Sequence, residues 1–153
     1  MLRRAMVRAL VFLCSVSALF AQEQSQKKKD IPKAILNAFQ SSYPGATITG
    51  YAREAEKGKV TFEIESVEGK IHRDISYTAD GSAVSIEESL PYKELPEPVR
   101  NTISSEYPRA KILSCEKVTE GQTVRFELAV RTGKKRAELV FDVNGTLMKK
   151  EAK

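Results

Sequence analysis

Apolar residues recur at helical spacing in two segments of the chain. In the first they begin at Ile31 and end at Phe39, and the second segment covers about Glu97 to Glu106 with Val99 and Ile103 on its apolar face. Spacing of three and four residues places such side chains on one side of a helix, which then has to pack against another layer. Tyr-Pro pairs at Tyr43 and Tyr107 follow the segments and predict helix ends, because the residue before proline is driven out of helical geometry.

Stretches that alternate between apolar and polar residues follow each predicted helix. In "KVTFEIE", Val60, Phe62 and Ile64 fall on one face and Thr61, Glu63 and Glu65 on the other, and "TVRFELAV" has the same pattern. Alternation of this kind is typical of strands in an antiparallel sheet with one buried and one polar face. "ADGS" and "VNGT" predict tight hairpin turns, since Asp-Gly and Asn-Gly tolerate the required backbone angles.

The second half of the chain repeats the first at an offset of 64 positions. Tyr43-Pro44 falls on Tyr107-Pro108, Phe62 on Phe126, and Gly81 on Gly145. Because turn residues and apolar positions agree together, we interpret the chain as a tandem duplication of one unit. The predicted fold is α+β, with two units that each pack one helix on a four-stranded antiparallel sheet.

These motifs resemble the PepSY-like family of small exported bacterial proteins, whose units are similar to those of the beta-lactamase inhibitory proteins. The resemblance rests on a helix that ends in Tyr-Pro, on "VTFEIE", on "RDISYTADG" and on a closing "EE". It covers about Ile31 to Glu151 and implies two helix-plus-sheet units side by side with a non-enzymatic role, in which sheets or loops bind another protein. The second unit departs at "RTGKKRAEL", so we expect the two surfaces to differ.

The boundaries of these parts follow from composition. A basic head, an apolar run of about a dozen residues and small residues at Ala18 and Ala21 predict a signal peptide over 1–21, cleaved after one of the two alanines. Residues 22–29 form a predicted disordered basic leader, 30–88 the first unit, 89–94 a linker and 95–153 the second unit. Because a unit of about 60 residues is marginal alone, we expect the two units to share a hydrophobic seam.

Charge and cysteine content narrow the functional classes. Without the three arginines that precede residue 22, 22 basic residues face 20 acidic ones, so the electrostatic footprint of a nucleic-acid-binding protein is missing. The apolar run is too short for a membrane span, so we expect the mature chain to lack a transmembrane anchor and to be periplasmic or secreted. Cys14 leaves with the signal peptide, and Cys115 is then the single thiol.

The residue types that carry chemistry form no catalytic or metal-binding motif. His72 lies two residues from Asp74, but a base held by a carboxylate would need a nucleophile motif nearby, so we interpret His72 as an exposed sheet residue. Cys115 occupies a strand position and is interpreted as a small buried filler. We therefore predict no enzyme activity, no cofactor and no metal.

The polar face of the predicted sheets is the remaining candidate for function. The first hypothesis is a mixed-charge docking surface for an unidentified exported protein or peptide, with a peptidase or hydrolase that the chain inhibits or modulates as one candidate partner. Loops between the units are the other candidate contact. The alternative function is a carrier of a small ligand or an accessory protein of envelope assembly. The non-functional interpretation is that the polar face is simply solvated. The predicted partner-binding residues are Glu63, Glu65, His72, Asp74, Arg125 and Glu127.

Overall fold

The computed structural model describes residues 24–56 and 58–152. The predicted signal peptide over 1–21 lies outside these residues. The helices are α1 (Lys33–Ser42) and α2 (Glu97–Glu106), and short 3-10 turns occupy Lys28–Asp30 and Tyr92–Glu94. The strands are β1 (Gln24–Ser25), β2 (Thr47–Glu56), β3 (Lys59–Glu68), β4 (Ile71–Tyr77), β5 (Ala83–Ser89), β6 (Lys111–Glu120), β7 (Thr123–Thr132), β8 (Lys135–Asp142) and β9 (Leu147–Ala152).

All nine strands belong to one antiparallel sheet in which spatial order equals chain order. The α+β class is therefore confirmed, whereas the two predicted four-stranded sheets are not distinct, because their strands join in one sheet. The difference arises between β5 and β6, which pair from Ile86 opposite Thr119 to Ser89 opposite Glu116. Two open sheet edges thereby become one continuous ladder, which satisfies backbone groups that separate sheets would leave exposed.

The elements of the two halves coincide at the offset of 64 positions. Helices α1 and α2, and strands β2 and β6, begin and end at equivalent residues. Register irregularities also recur, between Ile48 and Gly50 in β2 and between Ile112 and Ser114 in β6. Local geometry thus repeats to the level of single β-bulges, which re-aim the strand at the same place in each half.

Both helices pack on the same face of the sheet, and each covers its own hydrophobic cluster. Beneath α1, Ile35 and Phe39 join Ile64 and Ile75, and beneath α2, Val99 and Ile103 join a matching set. Phe62 and Phe126 border or enter these clusters at equivalent positions. The predicted shared hydrophobic seam is therefore wrong, because the cores are separate and strand pairing joins the halves.

The helix ends follow the predicted stop signals. Helix α1 ends at Ser42 and α2 at Glu106, and in each case the following tyrosine N–H donates to a carbonyl four residues back. The next residue is Pro44 or Pro108, which prevents the tyrosine from continuing the helix. Each Tyr-Pro pair therefore directs the chain from a helix into the first long strand of its half.

The leader differs from the prediction. Residues 22–29 are expected to be disordered, yet Gln24 pairs with Arg53 and Ser25 with Ala52 as strand β1. The Gln26 N–H also donates to the Tyr51 carbonyl at 2.8 Å. Backbone pairing with the free edge of β2 orders this segment despite its polar composition, since edge strands present unpaired donors and acceptors.

One glycine in each half fastens a hairpin turn to the start of a helix. Gly81 and Gly145 have φ angles of 91° and 81°, which favour glycine. A Cβ atom on Gly145 would lie 2.5 Å from the Pro98 carbonyl oxygen, and the Thr102 hydroxyl donates to the Gly145 carbonyl at 2.8 Å. The closing turn of each half thus touches the opening turn of its helix, which fixes the helix on the sheet.

We expect Gly145→Ala to lower the free energy of unfolding by roughly 2–4 kcal/mol, because left-handed strain adds to a backbone collision. Gly133→Ala is the matched control: Gly133 also has a positive φ, of 60°, but no atom lies within 4 Å of its added Cβ. Its loss should be only about 1 kcal/mol. Urea unfolding followed by circular dichroism measures both, and equal losses would contradict the proposed docking of the turn.

Candidate functional site

The sheet face opposite the two helices is the open face of the described structure. Alternation along the strands, combined with their register, places all six predicted partner-binding residues on it. Cross-strand pairing brings Glu63 opposite Ser76 and Glu65 opposite Asp74 in the first half. In the second half, Arg125 and Glu127 alternate along β7 on the same side. The structure therefore places these residues on one side of the sheet, where Glu63 is buried at 5% exposure, whereas their binding role stays a prediction.

Acidic side chains concentrate in the middle of the open face. Along one line across the sheet, Glu65 lies opposite Asp74, Asp74 opposite Glu87, and Glu87 opposite Val118. On the neighbouring line, Glu116 lies opposite Glu127. Directly opposed like charges destabilise a sheet, so this accumulation is unfavourable to the free protein. We call the group the acidic patch: Glu63, Glu65, Asp74, Glu87, Glu116 and Glu127.

Two carboxyl groups of the acidic patch hold their protons unusually tightly. Burial, and secondly the Glu65 carboxylate, raise the pKa of Asp74 from 3.8 to about 6. Burial followed by Glu127, Glu116 and Asp74 raises the pKa of Glu87 from 4.5 to about 7, with Arg125 acting in the opposite direction. Both causes act against the charged form, and strongly perturbed carboxyl groups cluster at functional sites.

Arg125 is held beside the patch by carboxylates of its own neighbourhood. Its Nη1 and Nη2 atoms donate to the two Glu120 oxygens at 2.7 and 3.0 Å, and its Nε atom donates to Glu127 Oε1 at 2.9 Å. The hydrogen bond to Glu120 is the main cause of the raised pKa of Arg125, and the same contact lowers the pKa of Glu120. Because three donor atoms of the Arg125 guanidinium group are held by carboxylates, the group has a fixed orientation at the edge of the patch.

Small residues beneath the long polar side chains make the open face compact. By register Ala52, Val118 and Val140 belong to this face, yet they are only 2%, 0% and 7% exposed. Gly50 lies opposite Glu65, and a Cβ there would come within 2.6 Å of the Glu65 carboxylate. The absent side chain at Gly50 thus leaves space into which the Glu65 carboxylate folds.

The two residues considered for catalysis occupy ordinary structural positions. His72 is exposed, and its backbone N–H donates to the Ser89 hydroxyl at 2.8 Å. Cys115 is 5% exposed within the cluster beneath α2, which confirms its predicted burial. Burial, and secondly Glu116, raise the pKa of the Cys115 thiol to about 11, so the nucleophilic thiolate is scarce at neutral pH.

Within the residues described, no group of three or more His, Cys, Asp or Glu side chains has the arrangement of a metal site. Over the same residues, no helix combines the length and apolar character needed to span a membrane.

Glu87 and Glu116 belong to the acidic patch but are absent from the residues predicted from sequence. Glu87 lies on β5 and Glu116 on β6, the two strands that pair at the junction between the halves, and both side chains belong to the open face. Alternation along "AVSIEES" could have placed Glu87 on the polar side. Its closeness to the second half follows only from the pairing of β5 with β6, which the alternation within one strand does not predict.

A family model described as "Putative beta-lactamase-inhibitor-like, PepSY-like" matches the chain twice, over residues 21–81 and 61–149. The chain belongs to the PepSY-like family. The predicted resemblance is thereby confirmed, with matches that extend over both halves. No curated protein sequence matches this PepSY-like chain.

Two solved structures with the same fold come from the genus Bacteroides. A BLIP-like protein of Bacteroides fragilis is 20% identical, with a TM-score of 0.64 over 80% of this chain and 86% of that protein. A "putative periplasmic" protein of Bacteroides eggerthii is 16% identical, with a TM-score of 0.67 over 80% and 88%. At these identities the likeness establishes the fold of the PepSY-like chain and leaves its partners open.

Raised carboxyl pKa values make stability depend on pH in a defined direction. Because the pKa values of Asp74 and Glu87 rise on folding, the folded state binds more protons than the unfolded state between about pH 4 and pH 7. This contribution to stability is fully present below the unfolded pKa values. It is lost as pH rises through the folded values of about 6 and 7.

We expect Glu87→Gln to make the protein more stable than wild type at about pH 8 by roughly 1–2 kcal/mol, after allowance for the partial exposure of Glu87. At about pH 4, where the wild-type group is protonated, the two proteins should unfold almost together. Urea unfolding at several pH values measures the difference. Glu94→Gln, at an exposed position away from the open face, should leave the pH profile unchanged. A Glu87→Gln profile parallel to wild type would show that the carboxyl is not strained.

Proposed function

We propose that this chain is an exported, non-enzymatic binding module that docks a protein or peptide on its open face through the acidic patch. The observation that carries the proposal is the set of opposed carboxylates Glu65, Asp74 and Glu87, which continues across the junction to Glu116 and Glu127. Folding brings these charges together although separation would be electrostatically favourable. The partner therefore presents lysine or arginine side chains to this surface.

Charge complementarity explains what such a partner gains. A cationic side chain over the patch would favour the ionised forms of Asp74 and Glu87, whose pKa values burial and neighbouring carboxylates now raise. Arg125 repels a cation placed at the edge of the patch, so it helps to fix where the partner lies. Charges arranged in this way contribute orientation and association rate more than affinity.

The sheet provides a rigid base for this docking surface. The patch residues lie on adjacent strands whose opposite face packs against the two hydrophobic clusters. Their positions are therefore fixed before a partner arrives, which reduces the ordering cost of binding. The two predicted units, 30–88 and 95–153, supply opposite ends of one surface, and we infer that they act together rather than as two independent sites.

The comparisons support the class and location that we propose. The family description as beta-lactamase-inhibitor-like, and the BLIP-like name of the Bacteroides fragilis protein, favour a protein partner and make hydrolases the first partners to assay. The "putative periplasmic" description of the Bacteroides eggerthii protein agrees with an exported chain released after Ala18 or Ala21. Fold alone does not fix function, so the test has to address the acidic patch directly.

Neutral substitutions in the acidic patch should weaken binding of the partner and leave the fold intact. We expect Asp74→Asn/Glu87→Gln to reduce capture of a specific exported protein by about tenfold or more, because two ionisable groups of the patch are removed in near-isosteric form. Affinity capture from an extract of exported proteins, quantified by mass spectrometry, compares this variant with wild type. Capture by the wild type should also weaken as salt rises, since exposed charge attraction is screened.

The matched control is Glu94→Gln/Glu97→Gln, which also replaces two carboxyl groups by amides, at two exposed positions on the helix side. It should retain the captured protein. A partner that both variants keep equally, or that binds the wild type independently of salt, would refute docking through the acidic patch.

A further inference from the structure

The helix faces of the two halves differ at the end where each helix stops. In the first half, Arg73 lies on this side of the sheet and is only 7% exposed. Its Nε atom donates to Glu88 Oε1 at 2.5 Å and its Nη1 atom to Glu68 Oε2 at 3.1 Å. The guanidinium carbon lies 4.5 Å from the centre of the Tyr43 ring. An ion-paired, stacked arginine thus fills the space beside the Tyr-Pro turn.

The second half has small residues at the three equivalent positions. Sixty-four positions after Arg73, Glu68 and Glu88 come Ala137, Thr132 and Ala152. These three residues line an open pocket of about 550 Å³, which lies between the end of α2 and the ends of β7, β8 and β9. The pocket therefore occupies the place where the first half has its buried ion-paired arginine. Its volume falls within the range of about 300–1,000 Å³ that small-molecule sites have.

The lining of this pocket combines an apolar floor with cationic walls. Val130 and Leu139, which are 3% and 0% exposed, and the ring of Tyr107 form the apolar part. Lys150 places its Nζ atom 5.0 Å from the centre of the Tyr107 ring. The charged lining residues are Arg109, Lys135, Arg136 and Lys150, against the single carboxylate of Glu106.

The same equivalence shows that three of the lining cations have no basic counterpart in the first half. Where the second half has Arg109, Lys135 and Lys150, the first half has Gly45, Ile71 and Ile86. At Gly45 the Glu68 carboxylate lies so close that an added Cβ would come within 2.6 Å of it. A corner filled by an ion-paired arginine in one half thus corresponds to a basic, open corner in the other. We call the open corner the cationic pocket.

We propose that the cationic pocket binds a small carboxylate that carries an aromatic or branched apolar group. The carboxylate would be held by Arg109, Lys135 or Lys150, and its apolar group would lie against Val130, Leu139 and Tyr107. Several cations around one anion favour a charged over a neutral ligand, and the apolar floor favours a ligand with a hydrophobic body. This site lies on the helix side, so it is separate from docking on the open face.

Titration of the full mature chain with 3-phenylpropionate tests the proposal. Backbone amides of Thr132, Ala137 and Ala152 should shift in two-dimensional nitrogen–proton NMR spectra, with saturation at a dissociation constant of roughly 0.1–1 mM for a ligand of about ten non-hydrogen atoms. The neutral analogue 3-phenylpropanamide should bind at least about tenfold more weakly, because it cannot use the cations. Amides near Tyr43 should not move.

Two variants examine the pocket itself. Arg109→Gly/Thr132→Glu/Ala137→Arg/Ala152→Glu recreates the residues that fill the first half, including the glycine that leaves room for the Glu68 carboxylate, so it should fold and abolish the amide shifts. Lys150→Gln should raise the dissociation constant of 3-phenylpropionate by about three- to tenfold and leave the weak binding of 3-phenylpropanamide unchanged. The matched controls are Ala83→Arg and Lys93→Gln, at exposed positions outside the pocket, which should bind as wild type does.

The outcome separates this site from the open face. Asp74→Asn/Glu87→Gln should leave 3-phenylpropionate binding unchanged, so either proposal can fail while the other stands. The pocket proposal is overturned if 3-phenylpropionate causes no saturable shifts, if the neutral amide binds equally well, or if the folded four-residue variant still binds.

Discussion

The pairing of β5 with β6 is the constraint on which the rest of the structure depends. Each half alone is a helix on a short sheet with its own small core, a size at which burial is marginal. Four paired positions, Ile86–Thr119 through Ser89–Glu116, convert two edges into one ladder. Their register also decides which side chains share a face, since a slip of one residue would move Glu116 and Glu127 to the face opposite Glu87. The pairing of β5 with β6 therefore produces both the single sheet and the acidic patch.

Local features of this fold could be predicted from sequence because they depend on neighbouring residues. Tyr-Pro pairs predict the helix ends, alternation predicts the faces of β3 and β7, and Asp-Gly and Asn-Gly predict the turns at Gly81 and Gly145. The two halves form one sheet because edge strands β5 and β6 pair across a proline-containing connection. The hydrophobic periodicity of each strand does not predict which strand it pairs with. Order in β1 escaped prediction for the same reason, because it comes from backbone pairing with β2 rather than from composition.

The pairing of β5 with β6 also separates the site residues that the sequence could predict from those that it could not. Glu63, Glu65, Asp74, Arg125 and Glu127 lie on strands whose alternation is clear, so their common face is predictable. Glu87 and Glu116 gain their significance from the junction, where carboxylates of β5 and β6 meet Glu127 of β7. The raised pKa of Glu87 depends on that convergence, because Glu127 and Glu116 are among its causes after burial. A property of two joined halves is not readable from either half alone.

A patch of opposed carboxylates is unfavourable in the free protein, and the fold tolerates it because stability is generated elsewhere. The two hydrophobic clusters and the glycine-fastened turns lie on the other side of the sheet, where the charges of the open face do not disturb their packing. Electrostatic strain can therefore remain at a functional surface without loss of the fold. Under the docking that we propose, a cationic partner would lower the pKa values of Asp74 and Glu87 toward their ordinary range. Proton release on binding follows by linkage, and affinity would increase as pH rises through about 6 to 7.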